Sequence, residues 1–392
     1  MPPNISKMKK LPLLLVSITF LISCGKEDPN QDTTPYGPEA GKQALEDNMI
    51  SALNDIDAFR NDPAMLEIEE FAKFMLENEP ASKSGKKIVS KSIGNVLSFK
   101  TADLQTFSKA QLAAVNQPEK NLQADFDDKA GTWTWNTATG EFEQSKNSSD
   151  KIIYKVTQNN KNAVLTISNF SVLTHPSGEE IPTSISAILT VDASTIFSQV
   201  FSASFPAGKY IPQSVSNTTT LGGLTFTTNA SNNASNTETN ISTAILLNGN
   251  TLIGATVKAT GSYAEIDNTG DTNNEINTLV NTISASYTML NATISMEATS
   301  PTNAIGDLSI DEAIALANEN LKVTLSVNNK KIADGEFYKQ SELEDDRLNL
   351  KFVFEDGSKS TIEAYFDAGF DQLQTKADDL FINFENLIEE VE

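Results

Sequence analysis

The sequence predicts a mostly β fold, in which one large, curved antiparallel sheet packs against an N-terminal αα-hairpin and a C-terminal helix. Two changes in hydrophobic periodicity carry this prediction. Apolar residues recur at helical spacing near both ends of the chain, whereas they alternate with polar residues from about residue 131 to residue 366. We expect a helical hairpin at 38–80, an antiparallel β domain at 81–366, and an amphipathic helix at 367–392 that packs on the β domain.

Two apolar stripes predict the N-terminal hairpin. Between them, Asp62 is placed to cap the second helix and Pro63 fits its first position, where a missing N–H costs nothing. The stripes comprise Leu45, Met49, Ala52, Leu53, Ile56 and Phe59 in the first helix, and Met65, Ile68, Ala72 and Met75 in the second, which Leu66, Phe71 and Phe74 widen. Residues 79–125 give weaker signals: a strand at 96–99 and a helix at 107–115.

The long middle part of the chain reads as strands joined by polar turns, which favours hairpins over a parallel sheet with crossover helices. The predicted strands are 133–135, 141–145, 152–158, 163–172, 184–191, 195–205, 224–228, 241–247, 252–263 and 283–296.

Residues 214–250 have an unusual composition, because 22 of these 37 residues are Ser, Thr or Asn and Glu238 is the only charged one. Such a composition is found in disordered segments. Apolar residues nevertheless recur at Leu221, Leu224, Phe226 and Ile245. We therefore expect strands with a Ser/Thr/Asn outer face and a flexible tip near 229–236.

The last part of the β domain begins with a helix and continues as two hairpins. Ser309 followed by Glu312 forms a capping-box pattern and predicts a helix to about Asn318. The predicted strands that follow are 321–327 and 331–338, with a turn at 328–329, and 348–354 and 360–366, with a turn at Asp356-Gly357.

The extreme N-terminus predicts export from the cytoplasm. Three lysines precede an apolar run of about a dozen residues, too short to span a bilayer, which takes about twenty. The run ends at Leu21-Ile22-Ser23-Cys24, which resembles the lipobox of bacterial lipoproteins. The resemblance implies that residues 1–23 are removed and that Cys24 carries a diacylglyceryl group, with residues 24–37 as a flexible tether. The membrane is then the expected partner of Cys24.

The residues after the lipobox resemble further signals of one bacterial phylum. Lys26, Glu27 and Asp28 are similar to the export signal of Bacteroidota lipoproteins, and Asp32-Thr33-Thr34 is similar to the O-glycosylation acceptor of the same phylum. The resemblance implies an outer-membrane protein facing the extracellular side, with Thr33 as the modified residue. An acidic, solvated linker is the alternative interpretation.

Composition excludes several classes of function. The net charge of −23 and the presence of only two arginines argue against binding to nucleic acid, which requires a basic surface. Cys24 is the only cysteine and His175 the only histidine, so cysteine-ligated metals and histidine-cluster metal sites are not expected. We expect no cofactor, no metal and no catalytic residue.

Three local motifs are candidates for binding chemistry. Trp133 and Trp135 are two residues apart, so on a strand they share a face, where they would form a sugar-binding platform if exposed or core if buried. The oxygen-rich segment 267–275 resembles a calcium loop but lacks the EF-hand glycine and glutamate, and a polar hairpin loop explains it equally well. His175 lies in a Pro/Gly turn without a nucleophile motif.

The sequence thus favours a non-enzymatic binding or envelope-scaffolding lipoprotein whose ligand it does not identify. A lipid or hydrophobic-ligand carrier with a helix-covered half-barrel is the first alternative, and it requires an apolar cavity. A glycan-binding accessory lipoprotein, which requires exposed Trp133 and Trp135, is the second. An enzyme with converging carboxylates is the least favoured.

Overall fold

The computed structural model describes residues 37–60, 62–80, 121–176, 178–208, 212–233, 237–261, 280–299, 309–340, 347–362 and 364–366. The lipobox with Cys24, the export signal Lys26–Asp28, Thr33, the elements predicted at 96–99 and 107–115, the loop 267–275 and the C-terminal helix at 367–392 lie outside these residues.

The fold is mostly β, as predicted, with a 16-stranded sheet and four described helices. The helices are α1 (Pro38–Arg60), α2 (Pro63–Asn78), α3 (Leu122–Lys129) and α4 (Ile310–Asn320). The strands are β1 (Gly131–Asn136), β2 (Glu141–Ser145), β3 (Lys151–Gln158), β4 (Lys161–Thr174), β5 (Glu180–Val191), β6 (Ser194–Ser204), β7 (Ser214–Leu221), β8 (Leu224–Asn232), β9 (Glu238–Leu247), β10 (Asn250–Gly261), β11 (Val280–Met289), β12 (Ala292–Thr299), β13 (Leu321–Val327), β14 (Lys330–Gln340), β15 (Arg347–Phe354) and β16 (Lys359–Thr361). None of the described helices is long and apolar enough to cross a membrane.

The strands follow one another in the sheet, so that β3 to β16 are neighbours in chain order. Tight turns with positive φ at asparagine join several of these strands, as at Asn159-Asn160 and Asn328-Asn329. This sequential order confirms the expected meander of locally joined hairpins.

One pair of strands departs from the prediction of a purely antiparallel sheet. Strand β2 returns along one side of β1, and β3 then pairs with the other side of β1 in parallel. The linking chain therefore passes the start of β1, where Gly131 has a φ of +120°. A Cβ at Gly131 would lie 2.4 Å from the carbonyl oxygen of Ser145, so only glycine fits this crossing.

The described residues form two compact units. The first, here the β1–β7 unit, contains β1 to β7 with α2, α3 and the end of α1. The second, here the β10–β16 unit, contains β10 to β16 with α4 and the start of α1. Strands β8 and β9 are divided between the units.

In the β1–β7 unit, α2 and α3 cover one face of the sheet. Helix α2 packs on β6 and β7, and α3 packs on β4 and β5. Asp62 accepts a hydrogen bond from the Ala64 amide at 2.8 Å and Pro63 occupies the first position of α2, which confirms the predicted cap. The buried side chains of α2 belong to the predicted stripe: Met65, Ile68, Phe71, Ala72 and Met75. Leu66, which was also expected in this stripe, is 58% exposed.

In the β10–β16 unit, the start of α1 and helix α4 cover the core. Leu45 of α1 joins a cluster of buried apolar residues drawn from β11 to β15. The absence of a side chain at Gly41 lets Tyr365 approach, since a Cβ there would lie 2.8 Å from the tyrosine oxygen. Ser309 and Glu312 form the predicted capping box at the start of α4.

Four elements differ from the sequence-based prediction. The segment 283–296, expected as one strand, is two strands joined by a tight turn at Leu290, whose φ is +55°. The strand expected at 360–366 ends at Thr361, whose hydroxyl accepts a hydrogen bond from the Ala364 amide and so favours a helical turn. Helix α3 and strand β7 were not predicted as separate elements.

Candidate functional site

The two predicted ligand-binding residues, Trp133 and Trp135, lie on the face of β1 that is turned towards the helices. The Trp133 indole stacks on Tyr154 at 6.2 Å between centroids and donates its N–H to the Lys129 carbonyl oxygen at 2.7 Å. The Trp135 ring meets Phe74 of α2 edge-on at 4.9 Å. Both side chains are half-buried, so only part of each ring is open to a sugar.

Beneath Trp133 lies a buried charged group, the ammonium of Lys129 at the end of α3. Lys129 is 1% exposed, donates a hydrogen bond to the Pro80 carbonyl oxygen and lies 4.9 Å from the centre of the Trp133 ring. Burial lowers the pKa of the Lys129 ammonium, while the nearby Glu79 carboxylate acts in the opposite direction. The Lys129 ammonium thus links the end of α2 to α3 and β1. Because it is buried, it is not accessible to molecules in solution.

A shallow cleft lies between α2 and strands β3 to β5. Its volume is about 40 Å³, which admits a few water molecules, whereas drug-sized ligands occupy pockets of roughly 300 Å³ or more. An ion pair between Lys161 and Glu67 stands at its edge. The residues that line the cleft are Glu67, Glu70, Phe71, Phe74, Val156, Lys161, Ala163 and Val191. This cleft is too small for the lipid that the carrier hypothesis requires.

His175 is half-buried in the turn between β4 and β5. Its amide donates to the Glu179 carbonyl oxygen at 2.7 Å, and its carbonyl accepts from the Gly178 amide at 2.8 Å. These bonds hold a compact turn, as the Pro and Gly of this segment predict. Among the described residues, no group of three or more His, Cys, Asp or Glu side chains is arranged to hold a metal ion.

The sheet face opposite α2 and α3 is a polar surface of the β1–β7 unit. Twelve outward positions on β4 to β7 lie in three rows across the strands, and we call them the hydroxyl face. The first row is Thr166, Ile188, Ser198 and Thr220; the second is Ser168, Ser186, Val200 and Thr218; the third is Ser171, Ser184, Ser202 and Ser216. Ten of the twelve are serine or threonine, and none carries a charge.

The strand register explains why this face is uniform. The neighbouring inward positions form an apolar row in which Tyr154, Leu165, Leu189, Phe197 and Leu221 are paired across successive strands. Because side chains alternate between the faces of a strand, fixing these residues inwards fixes the hydroxyl residues outwards.

The hydroxyl face is accessible and partly bonded to itself. All twelve residues are half-buried or exposed, and Ile188 and Val200 are 42% and 53% exposed. The Ser171 and Ser184 hydroxyls lie 2.8 Å apart, and Ser216 donates to the Asn229 amide oxygen at 2.8 Å. Since a hydroxyl has one donor and two acceptor sites, bonds of this kind leave acceptor capacity for a ligand.

Part of this face was predicted from the sequence. The Ser/Thr/Asn composition of 214–250 indicated an outer polar face, and β7 confirms it with buried residues at Val215, Asn217, Thr219 and Leu221 alternating with the hydroxyls. Its continuation over β4 to β6 was missed. The signal there is serine at every second position, as in Ser184-Ile185-Ser186, and it is visible only once the register is known.

No protein-family model matches the sequence. No curated protein matches it either. A porin-like protein from Bacteroides vulgatus is similar in structure over 58% of this chain and 90% of its own, with 6% sequence identity and a TM-score of 0.16. A similarity this low supports no argument about fold or function.

Proposed function

We propose that this protein is a lipid-anchored, non-enzymatic lipoprotein of the bacterial outer membrane that binds an envelope partner through its hydroxyl face. The observation that carries the binding role is the uncharged surface of β4 to β7 in a chain whose net charge is −23. Lysine, glutamate and aspartate normally occupy exposed positions. A broad face without them suits contact with a neutral partner.

The anchor and the outward location rest on the sequence signals. The lipobox ending at Cys24 supports acylation, and Lys26, Glu27 and Asp28 support transport to the outer leaflet. The tether that the sequence predicts at residues 24–37 would leave the hydroxyl face free to meet a partner at the cell surface.

The single cysteine gives a direct test of both parts of the proposal. Acylation consumes the Cys24 thiol, so the natural protein should not react with a membrane-impermeant maleimide. Ser202→Cys places a thiol on the hydroxyl face, and Ser194→Cys places one at an exposed position beside the β5–β6 turn, outside that face. Both variants should react when the purified protein is labelled.

On intact cells, the proposal predicts that Ser194→Cys is labelled and that Ser202→Cys is protected by the partner. Labelling of the natural protein would refute acylation of Cys24. Protection of both variants until the cells are permeabilised would refute surface exposure. Equal labelling of the two variants on intact cells would refute an occupied hydroxyl face.

A further inference from the structure

We infer that the partner of the hydroxyl face is a neutral polysaccharide. This inference rests on the proposed function, because it names the class of ligand for the same surface. It follows from three properties of the face: its lattice of hydroxyls, its two exposed aliphatic side chains and its lack of charge.

The hydroxyls form a regular lattice that suits an extended polymer. Neighbouring strands lie about 4.8 Å apart, and outward residues recur roughly every 6.7 Å along β5, β6 and β7. On β4 a bulge between Ser168 and Ser171 interrupts this spacing, but both residues keep partners on β5. The third row consists of four serines in register, Ser171, Ser184, Ser202 and Ser216. Ser184 and Ser216 already donate within the chain, to the Asn169 carbonyl oxygen and the Asn229 amide oxygen, and they keep acceptor capacity for the hydroxyl groups of a sugar chain.

Ile188 and Val200 supply the apolar part of the contact. Ser186 pairs with Val200 and Ile188 pairs with Ser198, so the two aliphatic side chains are diagonal neighbours on adjacent strands. Sugars present C–H surfaces as well as hydroxyl groups. A small aliphatic patch inside a hydroxyl lattice can therefore contact both parts of a sugar ring.

The lack of charge on the hydroxyl face favours a neutral polymer over a charged polymer, an anionic lipid or a second copy of the chain. None of the twelve residues is charged, so none could form an ion pair with nucleic acid, an acidic polysaccharide or an anionic lipid. A second copy of the chain would bring another net charge of −23 to the interface, and serine is depleted in protein–protein interfaces. Two sheets that pack face to face also require apolar inner faces, which ten hydroxyl residues do not provide.

The test uses the purified full-length protein in detergent on an array of neutral glycans, with alginate and chitosan as acidic and basic controls. We expect retention on at least one neutral glycan, and a loss of at least tenfold in affinity for Ser202→Glu and for Val200→Glu. Ser194→Glu is the matched control, since it adds the same charge at an exposed position outside the face. It should bind like the natural protein.

The outcomes separate this inference from the proposed function. If a glycan is retained equally by Ser202→Glu and Ser194→Glu, the hydroxyl face is not its site and the inference is wrong. If loss occurs for Trp133→Ala but not for Val200→Glu, the tryptophans are the site instead. If no glycan binds while Ser202→Cys stays protected on cells, the glycan inference fails and the binding function stands. If neither binding nor protection is found, both fail.

Discussion

A substitution at Thr219 of β7 tests the description of the buried face, because the structure predicts that it raises the free energy of unfolding. Its side chain is 1% exposed, and its hydroxyl has no hydrogen-bond partner in the described part of the chain. A buried hydroxyl without a partner costs about 1–3 kcal/mol. Thr219→Val removes the hydroxyl and keeps the branched shape, so we expect the free energy of unfolding to rise by about 1 kcal/mol.

Urea denaturation measures this change directly. The midpoint should rise without a change in slope, because the surface exposed on unfolding stays the same. For a folded unit of this size the same gain raises the melting temperature by roughly 2–4 °C. Thr220→Val is the matched control, since Thr220 lies on the outer face with its hydroxyl 3.3 Å from that of Thr225. Thr220→Val should change the free energy of unfolding by no more than about 0.5 kcal/mol.

A loss of stability in Thr219→Val would refute this reasoning. It would show that the hydroxyl has a partner, such as a buried water molecule, whose bond valine removes. Thr228 provides a repeat of the experiment, because its hydroxyl is also buried and without a partner among the described residues. Thr228→Val should likewise stabilise the protein by about 1 kcal/mol.

Three further predictions concern the backbone, a helix cap and alkaline pH. Gly131→Ala should lower the free energy of unfolding by about 3 kcal/mol or more, because φ is +120° and the new Cβ would meet the Ser145 carbonyl; an unchanged urea midpoint would contradict this. Ser309→Ala should cost about 1 kcal/mol and speed amide exchange at the start of α4; unaltered exchange would argue against the cap. Burial raises the pKa of Tyr287 and of Tyr365 from 10.0 to about 12. Between these two pH values the folded state keeps protons that the unfolded state has lost, so the free energy of unfolding should fall as the pH rises from 10 to 12. Replacing either tyrosine with phenylalanine should make the urea midpoint depend less steeply on pH in this range. An equally steep dependence would show that the ionisation of the replaced tyrosine is not responsible.

The alternation of apolar and polar residues was sufficient to predict most of the sheet. It located β13 at Leu321–Val327, whereas helical spacing and the Asp62 cap located α1 and α2. These elements are determined by local rules of spacing, capping and turn chemistry, which act within a few residues.

Features that depend on distant contacts were not predictable in this way. The parallel pairing of β1 with β3 is set by which side of β1 remains free once β2 has returned. The turn at Leu290 uses a residue that rarely adopts positive φ, so the strand pattern continues through it. The hydroxyl face likewise requires the register of four strands, whereas sequence inspection singled out the more conspicuous Trp133 and Trp135.

Because β3 to β16 form a meander, the sheet can gain or lose strands one hairpin at a time. Removing two consecutive strands, such as β6 and β7, would bring β5 beside β8 with their antiparallel directions preserved. Because the direction of the chain and the alternation of faces both survive such a step, an insertion or deletion of one hairpin changes the width of the sheet but not its chemistry. The extent of the outer surface can therefore vary among descendants of such a chain in steps of two strands, and the length of the partner it accommodates would vary with it.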